Sequence, residues 1–450
     1  MTASASSAPL SAHGQPRSNF FNRKGVFRLW IGLLVIFILI GLYSGLQVLF
    51  NGLGVTNLTD ELPWGLWITV DLTAIGLGAG AFTLSAAVYI FGLKKYEAIA
   101  RAAVFVGLIG YSSAMLALFL DIGRPDRFYH PMIYWNVHSV LWEITLCVML
   151  YSTVLVLELL PIVIESTRLK QYRVLRSFAH GLHRIMPVVA LFGMGLSLLH
   201  QSSLGATYGI LTARPVWYSP SAPVLFILSA VAAGPALTLG LALIVGKIRR
   251  MQMVPPDILR GVAQFIGFAC LAYLYLKLWS WAAQNYYSHV PERAQGLEVL
   301  NLNTPYGFTF WFGEALFGAL VPAIILLWWR LRRHQSLVIL AVALIILGLL
   351  FNRWNVTLSG FIIPLDWSPG VRDVFPINSY FPGLIEWGVA IGILGYGLLA
   401  LTLGVRYLNL FPKAAVLPRR APSGQKAEPL DPTLDNEAAP VQPLPTHGSD

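Results

Sequence analysis

Charge is what this sequence has least of. Only 12% of its 450 residues are charged, against roughly 25% in a soluble protein. Cysteine is as scarce: the chain has two, Cys147 and Cys270, each inside an apolar run. An iron–sulfur cluster held by thiolates needs about four, so none is expected in this chain, and the pair read as small core residues. No Walker loop, dinucleotide fingerprint or zinc-ligand spacing occurs. The N-terminus shows neither a cleavable signal pattern nor twin arginines.

Apolar residues, by contrast, make up 56% of the chain, and the mean hydropathy is +0.65. Ten runs are long enough to cross about 30 Å of hydrocarbon: 28–51, 64–93, 98–122, 139–164, 184–207, 222–246, 257–284, 306–330, 335–352 and 383–406. They predict an all-α polytopic membrane protein with a membrane domain over 28–410. Segments 1–27 and 411–450, rich in Ser, Ala and Pro, are expected to be disordered. Lys and Arg crowd the connections on one side, 24 against six on the other, with Lys277 inside a run. That asymmetry predicts both termini in the cytoplasm and a multi-pass protein of the bacterial inner membrane. It also accounts for the net charge of +10 without any nucleic acid.

Between two long apolar runs, Tyr129–Glu143, YHPMIYWNVHSVLWE, gathers two histidines, an asparagine, a carboxylate and four Trp or Tyr rings. Such rings gather at the membrane–water boundary, and ionisable groups dipping into lipid point to function. Asp71, Asp121, Glu143, His200, Glu314 and Glu386 all fall in the outer halves of their runs. Each also has a plainer reading. Asp121 with Arg124, and Asp126 with Arg127, fit interfacial ion pairs, His200 fits a hydrogen-bonded core histidine, and Glu386 fits a helix N-terminus. Glu158 and Glu165 continue the Glu143–Cys147–Tyr151 face, either as a proton path or as the inner end of the helix beside the basic 166–176 loop. Lys277 either snorkels outward or pairs with a buried carboxylate. A b-type haem needs two axial ligands at membrane depth. Only His200 lies well inside a run, so haem is not expected, a His138–His200 pair being the arrangement left.

At LPWGLWITVDL (62–72), YWNVHSVLWE (134–143), HQSSLG (200–205) and YFPGLIEW (380–387) the chain resembles the NrfD/PsrC-like family, the membrane subunits related to polysulfide reductase. Within it the chain is most like the hydrogenase-2 type (HybB-like). The likeness runs from about residue 28 to 410. It implies a haem-free bundle of two four-helix units plus extra helices, with a quinone (menaquinone or ubiquinone) pocket near the periplasmic face. It implies as partners a periplasmic four-cluster ferredoxin-like iron–sulfur subunit and, through it, a hydrogenase, a molybdopterin enzyme or a multihaem cytochrome. The chain would then be the quinone-reactive part of an oxidoreductase, not catalytic alone. By motif position the resemblance assigns Glu143, His138, Asp71 and His200 to proton exchange. Trp135, Trp142 and Trp67 suit a flat ring, and Asn136 and Gln201 suit its oxygens. Two rival readings are a transporter, for which Gly76–Gly80 would be an unwound segment, and a structural anchor for a peripheral enzyme.

Overall fold

The computed structural model describes residues 24–214, 216–286, 299–302, 304–361, 380–411 and 417–418. Ten helices in it are long and apolar enough to cross a membrane: α1 (Lys24–Asn51), α2 (Leu66–Tyr89), α3 (Glu97–Asp121), α4 (Val140–Ser166), α5 (Arg173–Gly209), α6 (Ala222–Arg249), α7 (Pro256–Tyr286), α8 (Pro305–Leu327), α9 (Gln335–Ser359) and α10 (Leu384–Tyr407). All ten runs are helices, as expected of an all-α membrane protein. The expected tails lie largely outside the described residues. The exceptions are Lys24–Phe27, which are already helical, Phe411, which is buried, and Leu417–Pro418, which pair with Met251–Gln252.

Two closed rings of four helices carry the fold. In the first, α2 packs on α3, α3 on α4, α4 on α5 and α5 on α2; in the second, α6 packs on α7, α7 on α8, α8 on α9 and α9 on α6. The rings meet along a seam where α6 lies against α2, α3 and α5, and α9 against α2. Helices α1 and α10 form a separate pair leaning on α3.

Lipid tails are as apolar as the helices, so association rests on close packing at small residues. A Cβ on Gly80 would stand 1.6 Å from the Ala230 carbonyl oxygen of α6, and one on Gly110 would stand 2.7 Å from the Gly78 Cα. Gly41 meets Gly392 between α1 and α10, and Gly318 meets Gly348 between α8 and α9, in the same way. The glycine run Gly76–Gly80 is therefore a packing surface within a continuous helix, and the unwinding that a transporter would use there is not seen. Cys147 and Cys270 are free and buried, as core residues should be. Prolines sit inside α4, α5 and α6, and a π-helical stretch, Thr309–Leu320, forms much of α8. Such wide turns are rare and frequently fall at functional sites.

The basic connections gather at one end of the bundle. Helix α9 departs from expectation at the other: it runs to Ser359, seven residues past the apolar run. Arg353, expected in an external loop, is instead buried within it, its guanidinium stacked 3.8 Å from the centre of the Phe226 ring. The run ends early on hydropathy because polar side chains interrupt it, yet those side chains find partners inside the bundle.

Candidate functional site

The Tyr129–Glu143 stretch is built around one short helical turn and one cap. A single helical turn, His130–Ile133, follows α3. Ser139 then caps α4, its hydroxyl accepting from the Trp142 N–H at 3.3 Å, which leaves Glu143 one turn inside the helix. Trp142 donates from its indole to the Pro131 carbonyl at 2.8 Å, and Trp135 donates to Met132 at 3.0 Å. The two indoles are 5.4 Å apart. Trp135, Asn136 and His138 are exposed, and the Asn136 side chain accepts from the His138 backbone N–H. This aromatic stretch thus folds on itself and lies on the surface of the first ring.

Below it, the interior of the first ring is polar. Glu143 is half-buried and accepts from the Ser203 hydroxyl of α5 at 2.8 Å. One turn earlier on α5, His200 is fully buried and shares a 2.9 Å hydrogen bond between Nδ1 and the Tyr111 hydroxyl of α3. The Tyr111 ring packs 4.6 Å from Tyr151 of α4. Asp71 is buried on α2, close enough to Tyr111 to interact electrostatically. Five polar atoms here have no hydrogen-bond partner among the described residues: Asp71 Oδ1, the Tyr151 hydroxyl, His200 Nε2, and both amide atoms of Gln201. Each such buried orphan costs about 1–3 kcal/mol, and a native protein keeps few without a reason. A ligand whose hydroxyls both donate and accept suits such atoms; a quinol is one, whereas its quinone, with carbonyl oxygens alone, only accepts. His200 is suited to either form, since its free Nε2 donates in one tautomer and accepts in the other.

The structure therefore brings Asp71, His200, Gln201 and Glu143 into one helical ring and leaves His138, Asn136 and Trp135 on its outer surface. Trp67 is buried elsewhere, on the side of α10, donating to the Glu386 carbonyl at 3.1 Å. Glu386 takes its plainer reading. Its carboxylate accepts from the backbone N–H groups of Gly383 at 2.8 Å and Asn57 at 3.0 Å, and from the Tyr380 hydroxyl, pinning two loops to the start of α10. Burial and that acceptor push the Tyr380 phenol well above its usual range. Arg124 pairs with Asp126 and not with Asp121, through two bonds of 3.0 and 3.1 Å, because the turn after Gly123 carries it away from the helix end. This holds the exposed Asp126 carboxyl below its ordinary value. At the opposite end Glu165 meets Arg101 at 3.2 Å and His183 at 2.9 Å, side chains of α3 and α5, not those of the 166–176 loop. Glu158 is buried.

Sequence reasoning missed Tyr111, an ordinary residue in an apolar run, and gave Ser203 of the HQSSLG motif no role of its own; the crossing of α3, α4 and α5 brings them to His200 and Glu143. It also missed most of a second polar cluster, in the second ring. There Lys277 pairs with Glu314 at 2.7 Å, joined by Tyr273, Asn352 and Arg353.

Fold and interior together define a class: a ten-helix membrane bundle of two four-helix rings, each with a buried hydrogen-bonding core, and no group of three or more metal-ligating side chains among the described residues. The chain belongs to the polysulphide reductase, NrfD family, whose model matches residues 54–364. It is 36% identical over 406 residues to the menaquinone reductase integral membrane subunit of Nitratidesulfovibrio vulgaris, a match spanning 88% of this chain and 94% of that one. It is 25% identical over 390 residues to the Hdr-like menaquinol oxidoreductase integral membrane subunit of Archaeoglobus fulgidus, covering 84% and 92%. The hydrogenase-2 likeness is more local. A probable Ni/Fe-hydrogenase 2 b-type cytochrome subunit of Escherichia coli is 34% identical over 178 residues, 37% of this chain and 43% of that one.

Proposed function

We propose that this protein is the membrane subunit of a respiratory oxidoreductase complex that binds menaquinone or its quinol in the first four-helix ring, near the periplasmic face. The observation that carries the reading is the set of unmet polar atoms on Asp71, His200 and Gln201, beside the Glu143–Ser203 pair. The names of the menaquinone and menaquinol relatives support it.

When bound, the quinone supplies two-electron, two-proton redox chemistry. The protein's share is to hold the ring and handle protons at its oxygens. His200, fixed through Nδ1 by Tyr111, presents Nε2 to one oxygen, and the Gln201 amide and the Asp71 carboxyl add contacts from α5 and α2. Glu143 lies one turn from the membrane surface, where Ser203 holds one of its oxygens and leaves the other to exchange protons with the outside. A positioned acid or base of this kind contributes about 10²–10⁴-fold. Electrons would come and go through a periplasmic iron–sulfur subunit docked over the exposed Trp135–His138 surface, and through it a catalytic subunit. Both termini would be cytoplasmic, as the placement of Lys and Arg predicts.

Glu143→Gln keeps the Ser203 hydrogen bond and removes the titratable proton. In the purified complex it is expected to lower menaquinol-linked turnover by at least about a hundredfold while subunit assembly is kept. Unchanged turnover would remove Glu143 from the mechanism.

A further inference from the structure

The second ring contains a cavity that the proposed quinone site does not use. Its floor is formed by Lys277 and Asn352, the edge of a polar cluster on α7, α8 and α9. Tyr273 and Lys277 lie one turn apart on α7, and both reach Glu314 Oε1, Tyr273 donating at 2.5 Å and Lys277 at 2.7 Å. Asn352 donates to the Tyr273 hydroxyl at 3.0 Å and accepts from Arg353 at 2.8 Å, while Arg353 also donates to Ser229 of α6 at 2.8 Å. Glu314 lies in the middle of the π-helical stretch of α8.

Above this floor is a cavity of about 100 Å³, bordered by the rings of Trp217, Trp281, Tyr306 and Phe310 and by Lys277 and Asn355. A single buried water takes roughly 10–15 Å³ on that scale, so the space suits a ring-sized molecule. Asn355 is buried, and Thr309 bonds one atom of its amide at 2.6 Å. The other amide atom has no partner among the described residues. With Lys277 and Arg353 set against Glu314, the cluster carries one excess positive charge, which disfavours a metal cation and favours oxygen acceptors. Aromatic walls favour a flat partner.

We infer that this cavity is a second binding site, separate from the one in the first ring, for a flat ring bearing carbonyl or oxyanion oxygens, the quinone and hydroxyquinoline class. The ring lies between Trp281 and Phe310, and its oxygen accepts from the Asn355 amide and from Lys277, which keeps N–H groups beyond the one given to Glu314.

The test is to titrate the purified complex with 2-heptyl-4-hydroxyquinoline N-oxide and follow quenching of the probe's fluorescence. Two classes of site are expected in the wild type. Asn355→Leu should weaken one class by about tenfold or more, the loss of one hydrogen bond to an ionised acceptor, and leave the other. Asn355→Asp keeps the volume and the Thr309 bond but turns a donor into a like charge, so it should remove the same class in a protein that still folds. His200→Gln should weaken only the other class. A single class insensitive to both Asn355 substitutions overturns this site, whatever the fate of the first. A single class lost with Asn355 but untouched at His200 upholds this site and overturns the placement of the quinone in the first ring.

Discussion

Removing the charge of Lys277 should be costly, and removing its partner as well should recover most of the loss. The ammonium is 2.7 Å from Glu314 Oε1, with the two side chains 18% and 2% exposed. At that distance and an effective dielectric constant near 20, Coulomb attraction is about 6 kcal/mol. Desolvation of the two ions opposes it by several kcal/mol each, so the intact pair is nearly neutral in net stability. Lys277→Met strands Glu314 with a single Tyr273 hydrogen bond and an unmet Oε2, a loss of about 3–5 kcal/mol. Arg353 interacts electrostatically with Glu314 and relieves part of it, so the lower end is expected. Glu314→Gln alone strands the ammonium in the same way. The double variant leaves a neutral amide that still accepts from Tyr273, and should lie within about 1–2 kcal/mol of wild type. Unfolding in detergent, followed by the fluorescence of the 14 tryptophans, gives the four free energies of the cycle. A coupling of about 4–5 kcal/mol supports a tight buried pair. Additive losses would refute it, since they would mean that the two charges are separately solvated.

Other outcomes follow from the packing and the loops. Gly80→Ala places a methyl 1.6 Å from a carbonyl oxygen of α6. It should lower the thermal midpoint by more than the usual overpacking loss of about 1–3 kcal/mol, because backbone and not a flexible side chain must move. Gly195→Ala, with nothing within 4 Å, should be neutral or slightly stabilising. Tyr380→Phe removes a bond to Glu386 and a partner of the Leu66 N–H at 3.0 Å, worth about 1–2 kcal/mol. Because the folded phenol is raised, that contribution is complete below the unfolded value of about 10. It is lost as pH climbs through the folded value, so the difference in midpoint between variant and wild type should shrink in strong alkali. Asp126 has the opposite sign. Its depressed carboxyl contributes above the usual carboxylate range and loses that contribution as pH falls through the lowered value. Asp126→Asn should therefore matter least in acid and in high salt, as scans of midpoint against pH and ionic strength would show.

The site was legible in the sequence where it depended on the chemistry of single residues in lipid. Asp71, Glu143, His200, Lys277 and Glu314 stand out because an ionisable group in an apolar run needs a reason, and all five are buried or half-buried in the helical rings. His138, Asn136 and Trp135 read the same way on paper. They lie on the surface because Ser139 starts α4 just after them and the turn at His130–Ile133 folds back under Trp142. Arg353 was misplaced because a hydropathy window cannot see that Asn352, Ser229 and the Phe226 ring await it inside the bundle.

The sequence by itself determined that this is a membrane protein of ten helices, which end carries the basic residues, and which family it belongs to. Those follow from local quantities: run length, the spacing of Lys and Arg, and short motifs read in order. Only the tertiary structure decided which helices close into each ring, and that His200 meets Tyr111 and Lys277 meets Glu314. It also revealed that the second ring holds an aromatic-walled cavity. These depend on which glycine faces which across a crossing, and in a bilayer, where every helix is apolar, hydropathy does not distinguish one neighbour from another.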